Sequence, residues 1–259
     1  MQNFIFQRLD EQSDSIKTES EYHAIKDALS NSRMDTLIHD TPAHYWAALE
    51  KPNVQTNAMA FGSAYHCYML ETDDFYNRFA ILPPGFDGRT KAGKELMQQA
   101  AESGKPIITD DEYSAIAEMS YNLVNHGFAS SKIENATCLE QPIVANALQI
   151  GAPHDDCLAV VKAKADIVGS NYIADLKTIS DLRDNTIARA IRDGYARQGA
   201  FYLDLFGKDV FYLIFQEKSS PYEIRVIRLN EAQIDYGRAQ YELALQRYNA
   251  MLAEQAIGH

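Results

Sequence analysis

Cysteine is scarce in this chain of 259 residues, and what it lacks narrows the reading before any motif is considered. Its three cysteines, Cys67, Cys138 and Cys157, form no Cys-x-x-Cys pair. That argues against a structural zinc site or an iron–sulfur cluster, and for reduced thiols in a cytoplasm. No apolar run approaches the length of a membrane span, and the opening MQNFIFQRLDEQSDS lacks a signal-peptide pattern, so the expectation is a cytoplasmic protein without membrane attachment. Basic charge is also short: 24 Lys and Arg stand against 36 Asp and Glu, for a net charge of −12. Such a balance disfavours phosphate binding over the whole surface, which draws on clustered cations. The acidity is unevenly placed, however. Residues 160–228 hold 11 basic against 9 acidic residues, a net +2, and the rest of the chain carries −14.

What is present is the composition of an ordinary globular chain, 46% hydrophobic and 23% charged. No repeat, low-complexity tract or linker interrupts it. The expected organisation is therefore an irregular, mobile arm over residues 1–20 and one domain over 21–259. Helical patterning covers 22–50, with a break at Asp40-Thr41-Pro42 that starts a helix over 43–49. The run 59–70 (MAFGSAYHCYML) reads as a helix whose small residues Gly62, Ser63 and Ala64 suit close packing, with His66 at its middle. A loop from Pro83 leads to Arg89, Lys91 and Lys94, basic residues among glycines that suit phosphate contact. Helices follow over 91–103 and 110–125, the latter capped by Asp110 or Asp111. His154, Asp155 and Asp156 read as a structural turn.

The informative stretch is 158–179. Two β-type runs, 158–168 and 172–179, flank the turn Gly169-Ser170-Asn171. Asp175 and Lys177 lie two residues apart, so both leave the same face of the second strand. The hairpin can bring Asp166 toward that face. Carboxylates crowded into an apolar sheet repel unless a proton or cation lies between them, and a hard divalent ion takes such ligands. A preceding strand over 136–145 carries Glu140, so the three strands are expected to form an antiparallel meander. A long helix over 181–207 places Gln198 and Tyr202 at i and i+4 on one side. A second hairpin (210–217 and 222–229) and a terminal helix (230–256, capped by Asn230) complete the chain.

These residues resemble the RecE-type exonucleases (exodeoxyribonuclease VIII) within the PD-(D/E)xK, restriction-endonuclease-like superfamily. The resemblance is carried by AFGSAYHC, by Glu140 in CLEQPIVA, by Ala165-Asp166 followed by YIADLKT, and by GYARQGAFYLD. DTPAHYW, the basic stretch from Arg89 to Glu95 and Tyr22-His23-Ala24 add to it. Ala165 stands where the superfamily motif has Pro. The resemblance implies an α/β fold, a restriction-endonuclease-like core with a central mixed β-sheet flanked by helices. It implies that Asp166, Asp175 and Glu140, with the Leu176 carbonyl and His66, hold one or two Mg²⁺ ions, with Mn²⁺ as a substitute. Lys177 then positions the attacking water, Gln198 and Tyr202 orient the site, and Arg89, Lys91 and Lys94 contact the DNA backbone. The implied activity is Mg²⁺-dependent degradation of double-stranded DNA from its ends, 5′ to 3′, by a homotetrameric ring. The 3′ single strand left behind is passed to a RecT-like annealing recombinase. Two alternatives stand beside this: another nuclease of the same fold, such as a RecB-like one, and a non-catalytic DNA-binding protein whose site has eroded.

Overall fold

Gly169 fixes the centre of the fold. A Cβ on it would meet the Tyr172 ring at 2.1 Å, so any larger residue would displace that ring from the turn, which closes with the Gly169 N–H donated to the Tyr172 carbonyl at 2.8 Å. The computed structural model describes residues 4–51, 56–150 and 159–257, with side chains to residue 254. Its strands are β1 (Phe4–Arg8), β2 (Ala80–Ile81), β3 (Ile107–Ile108), β4 (Cys138–Gln149), β5 (Ala159–Val168), β6 (Tyr172–Ile179), β7 (Val210–Glu217) and β8 (Ile224–Arg228). Six of them form one sheet in the order β1-β4-β5-β6-β7-β8. All neighbours are antiparallel except β6 and β7, which run parallel. A parallel pair needs a long crossover. Here it consists of α10 (Asp184–Ala190), a π-helical turn (Ile191–Tyr195) and α11 (Ala196–Phe206).

Helices cover both faces of this mixed sheet, as expected from the sequence. One layer holds α3 (Asn31–His39) and α4 (Pro42–Glu50) with α11 and α12 (Glu231–Ile257), packed around Tyr45, Phe201, Tyr241 and Phe215. The other holds α5 (Asn57–Leu70), α6 (Phe75–Arg78), α8 (Asp110–Asn125) and α9 (Gly127–Glu134), around Tyr65, Phe75, Ile116 and Leu176. The short pair β2–β3 and α7 (Lys91–Glu102) lie outside the main sheet.

Several expectations are corrected. Residues 4–20 are not an irregular arm: β1 pairs with β4, Phe4 is fully buried, and α1 (Asp10–Ser15) and α2 (Glu19–Ala24) follow. Alternating Phe4 and Phe6 supply an apolar face that an edge position of the sheet can bury. The cap of α8 is Thr109, which exchanges reciprocal bonds with Glu112, so the two aspartates lie inside the helix. The helix expected over 181–207 is interrupted, with Gly194 non-helical inside the π-turn. The turn expected at His154, Asp155 and Asp156 lies outside the described residues, as does Cys157. No described helix is long and apolar enough to cross a membrane.

Candidate active site

The sheet is split where the motif residues lie. β5 pairs with β4 along its length, but with β6 only at Ile167–Ala174 and Val168–Ile173. At the far end of β5, Leu29 takes the free edge, donating to Val160 O at 2.8 Å and accepting from Lys162 N at 3.0 Å. Between these two contacts the edge of β5 has no ladder partner among the described residues. The Asp166 carboxylate fills part of the gap by accepting the Leu176 N–H at 2.8 Å. Asp166 thus meets β6 through its side chain, after the strands have parted.

Glu140 is brought opposite Asp166 by the β4–β5 register, which pairs Leu139 with Ile167 and Gln141 with Ala165. Its φ is +49°, left-handed backbone that costs a non-glycine residue about 1–3 kcal/mol. The α5 helix lies over this spot and places His66 Nδ1 3.4 Å from Asp166 Oδ2. His66, Glu140 and Asp166 each offer a ligand atom, and these lie within 4.8 Å of one another. Together they form one end of a cleft of about 200 Å³.

Asp175 points elsewhere. Its side chain is 1% exposed, and Lys177 Nζ lies 2.6 Å from Oδ2. Gln198 donates Nε2 to its Oδ1 at 2.7 Å, across from α11. Asp175 and Lys177 therefore share a face, as their spacing requires, but Asp175 is outside the three-residue ligand cluster. Tyr202 is buried in the aromatic layer against Phe201 and Phe206, with a hydrogen bond to the Lys164 backbone. Among the described residues no hydrogen bond joins it to a carboxylate. Arg89 is exposed and paired with Asp87, and Lys91 is exposed and paired with Glu95. These residues and Lys94 line neither the acidic cleft nor the cavity behind it.

Five residues that the sequence did not single out reach the site. Lys164 Nζ lies 2.6 Å from Glu140 Oε2 and also pairs with Glu19 from α2. Arg78 lines the same cleft and donates to Glu71 at 2.5 Å. Tyr195, at the end of the π-turn, sets its ring 5.4 Å from Lys177 Nζ. Lys164 was readable in principle, since residues i and i+2 of a strand share a face and it precedes Asp166 by two. Glu19 carries no such signal, because its partner is 145 residues away.

The electrostatics are those of a site prepared for a cation. Burial, then Asp166, pushes Glu140 up to about 7, and burial, then Asp166, pushes Asp175 up to about 6. Burial also raises Asp166. Burial, then Lys177, lowers His66 to about 4, so its ring is neutral at pH 7 and keeps a lone pair. The Leu176 backbone favours the ring's N–H, as a carbonyl facing an imidazole does. One Leu176 residue thus addresses both Asp166 and His66. Two crowded carboxylates with a neutral imidazole fit a divalent cation, the oxygens favouring Mg²⁺ or Mn²⁺.

A sheet opened at Asp166, followed by Asp175-Leu176-Lys177 on the next strand, defines a PD-(D/E)xK type of chain. The model of the family described as "PDDEXK-like domain of unknown function (DUF3799)" matches residues 30–257, and the chain belongs to that family. The structure is also similar to that of a candidate exonuclease from Eubacterium rectale, at 16% identity and a TM-score of 0.60, covering 92% of this chain and 85% of that one. A phage-related exonuclease from Haemophilus somnus aligns at 17% identity and a TM-score of 0.36, over 88% of this chain and 96% of that one, too loosely to carry an argument. At these identities the likeness concerns the fold alone. No curated protein sequence matches significantly. The resemblance read from the sequence stands.

Proposed function

We propose that the chain is a divalent-metal-dependent DNA nuclease that works from duplex ends. The observation that carries this reading is the convergence of His66, Glu140 and Asp166 at the split in the sheet, with Lys177 beside Asp175. An eroded, purely binding member of the fold would have no reason to keep buried carboxylates at the cost that burial imposes. His66, Glu140 and Asp166 would hold the ion, Mg²⁺ or Mn²⁺. Such an ion supplies Lewis acidity to a phosphate oxygen and acidifies a water.

The remaining residues have defined work. Lys177 keeps its proton because Asp175 and Asp166 outweigh burial, and its ammonium offsets charge gathering on phosphorus. Hydrolysis adds a water oxygen to phosphorus as the P–O bond to the leaving strand breaks. Gln198 fixes Asp175, and Asp175 fixes Lys177. The finer reading rests on the resemblance to RecE-type enzymes. It comprises 5′ to 3′ polarity, a 3′ single strand passed to a RecT-like recombinase, a homotetrameric ring, and backbone contacts from Arg89, Lys91 and Lys94. A ring also suits an acidic chain, because only its channel need be positive. Light scattering should give a mass several times 29.1 kDa.

The test compares one plasmid in two forms. With Mg²⁺, supercoiled circles should survive, and the same plasmid cut once should be degraded. Rapid nicking of closed circles would contradict the end-dependent reading while leaving nuclease chemistry intact.

A further inference from the structure

The acidic cleft already holds a cation of its own. Lys164 Nζ lies 2.6 Å from Glu140 Oε2, and Glu19 of α2 meets the same ammonium. All three residues line the cleft that contains His66 and Asp166. The Lys164 and Glu140 side chains are 19% and 11% exposed, so water does little to screen the pair. Among the described residues, the ion-pair partners of Lys164 are these two carboxylates.

This ammonium stands in the way of a divalent ion. The ligand atoms of His66, Glu140 and Asp166 lie within 4.8 Å of one another, and Lys164 is bound to one of the three residues. Like charges at such range repel more strongly in a shielded cleft than in water. Lys164 has little room to withdraw along the strand, because it precedes Asp166 by two residues on β5 and so leaves the same face. It also keeps its charge: burial opposes the ammonium, but Glu140 and Glu19 outweigh burial. Losing Glu140 with no other partner would leave a buried charge uncompensated, which is costly. Glu19 is the other partner.

Glu19 is held in place for that exchange. Its Oε1 meets His23 Nε2 at 3.0 Å, one turn along α2, while Oε2 faces Lys164. Reciprocal bonds between Thr18 and Glu21 fix the start of the helix. Tyr22 is buried with Ile16 and Val144, which docks α2 on β4. Burial raises the Glu19 carboxyl, but the His23 bond and Lys164 bring it down to about 2, so it is ionised at neutral pH.

We propose that Glu19 is a positioning residue for the metal: it takes Lys164 when a divalent cation claims Glu140. A helix 145 residues away in sequence would thereby set the affinity of the site. The role rests on His66, Glu140 and Asp166 being the cation's ligands, as in the nuclease reading above. The test is Mn²⁺ binding to the full chain by isothermal titration calorimetry, without DNA, in a double-mutant cycle.

Glu19→Gln removes the second acceptor and leaves Lys164 on Glu140, so Mn²⁺ should bind more weakly. Lys164→Gln removes the competitor and should bind Mn²⁺ at least as tightly as the wild type. The weakening by Glu19→Gln should be about 10-fold larger with Lys164 present than in the Lys164→Gln background, a coupling expected of charges in contact. In a Lys164→Arg background, where a cation again bridges the two carboxylates, the sensitivity to Glu19→Gln should return. Circular dichroism checks that each variant is folded, and Glu19, with 38% of its side chain exposed, tolerates the change to Gln. Equal weakening by Glu19→Gln in the wild-type and Lys164→Gln backgrounds would mark a long-range charge effect and overturn the exchange. Weaker binding by Lys164→Gln would overturn it too, by making Lys164 a support of the site and not its competitor. A wild type that binds no Mn²⁺ would overturn the metal reading itself, and the role of Glu19 with it.

Discussion

Asp166 takes the backbone N–H of Leu176 at 2.8 Å, and in doing so stands where a neighbouring strand would otherwise pair. The carboxylate is thus held by the fold at the point where β5 and β6 part, independently of any ligand. Its remaining acceptor capacity faces His66 and Glu140.

Asp166→Asn should fold, because the amide oxygen still accepts the Leu176 N–H, but it removes the charge on which cation binding depends. Wild type should gain about 2.7 kcal/mol of stability from Mn²⁺ at a hundred times its Kd, and the variant little. Thermal melts with and without Mn²⁺ measure this. Equal stabilisation of both proteins would remove Asp166 from the ion's ligands.

Gln198→Ala leaves the Asp175 carboxylate 1% exposed and without its side-chain amide donor. Losing a partner of this kind costs about 10–100-fold in activity or metal affinity. The loss should fall on kcat more than on KM, since Asp175 orients Lys177. An unchanged kcat would make Gln198 a packing residue only.

The long helix α12 crosses the start of α11 at Gly237, where an added Cβ would lie 2.0 Å from Ala196 O. The obstacle is backbone and cannot swing aside. Gly237→Ala should therefore cost at least about 1–3 kcal/mol, the range for overpacking, read from urea unfolding. A neutral result would mean that the two helices slide freely.

Lys162 gives a pH dependence of definite sign. Its folded pKa, lowered to about 8, lies below the unfolded value near 10.4. Above pH 8 the unfolded chain therefore holds more protons than the folded one, and this residue's contribution to stability rises with pH. Between pH 8 and 9.5 the wild type should gain about 1–2 kcal/mol relative to Lys162→Met. Tyrosines are common to both proteins and cancel in the difference. A difference that stays flat would remove the charge penalty from Lys162.

The legible part of the site was its strands. Residues 172–179 were expected as a strand and are one, because Gly169-Ser170-Asn171 marks the turn and β-branched residues mark the runs. Asp175 and Lys177 share a face by spacing alone. Contacts between distant segments were not legible: Glu19 reaches Lys164 because β1 draws the N-terminus into the sheet, and nothing near Glu19 announces that. The interrupted helix was hidden too, since Ile187, Ile191 and Tyr195 keep helical spacing through the π-turn that lifts Tyr195 over Lys177. The basic stretch around Arg89 shows the limit of composition as a guide to place. Its composition suits phosphate, yet the cations that surround a cavity beside the site are Lys26, Arg33, Lys51 and Lys162, scattered along the chain.

The central claim is that the carboxylates at the split in the sheet, with a divalent cation, hydrolyse DNA. The direct measurement is release of label from end-labelled linear duplex by wild type and by Asp175→Ala, with Mg²⁺, with Ca²⁺ and with chelator. Label should be released by wild type with Mg²⁺ alone, and by Asp175→Ala under no condition, while circular dichroism shows both proteins folded. Undiminished release by Asp175→Ala, or release by wild type in chelator, would contradict the account.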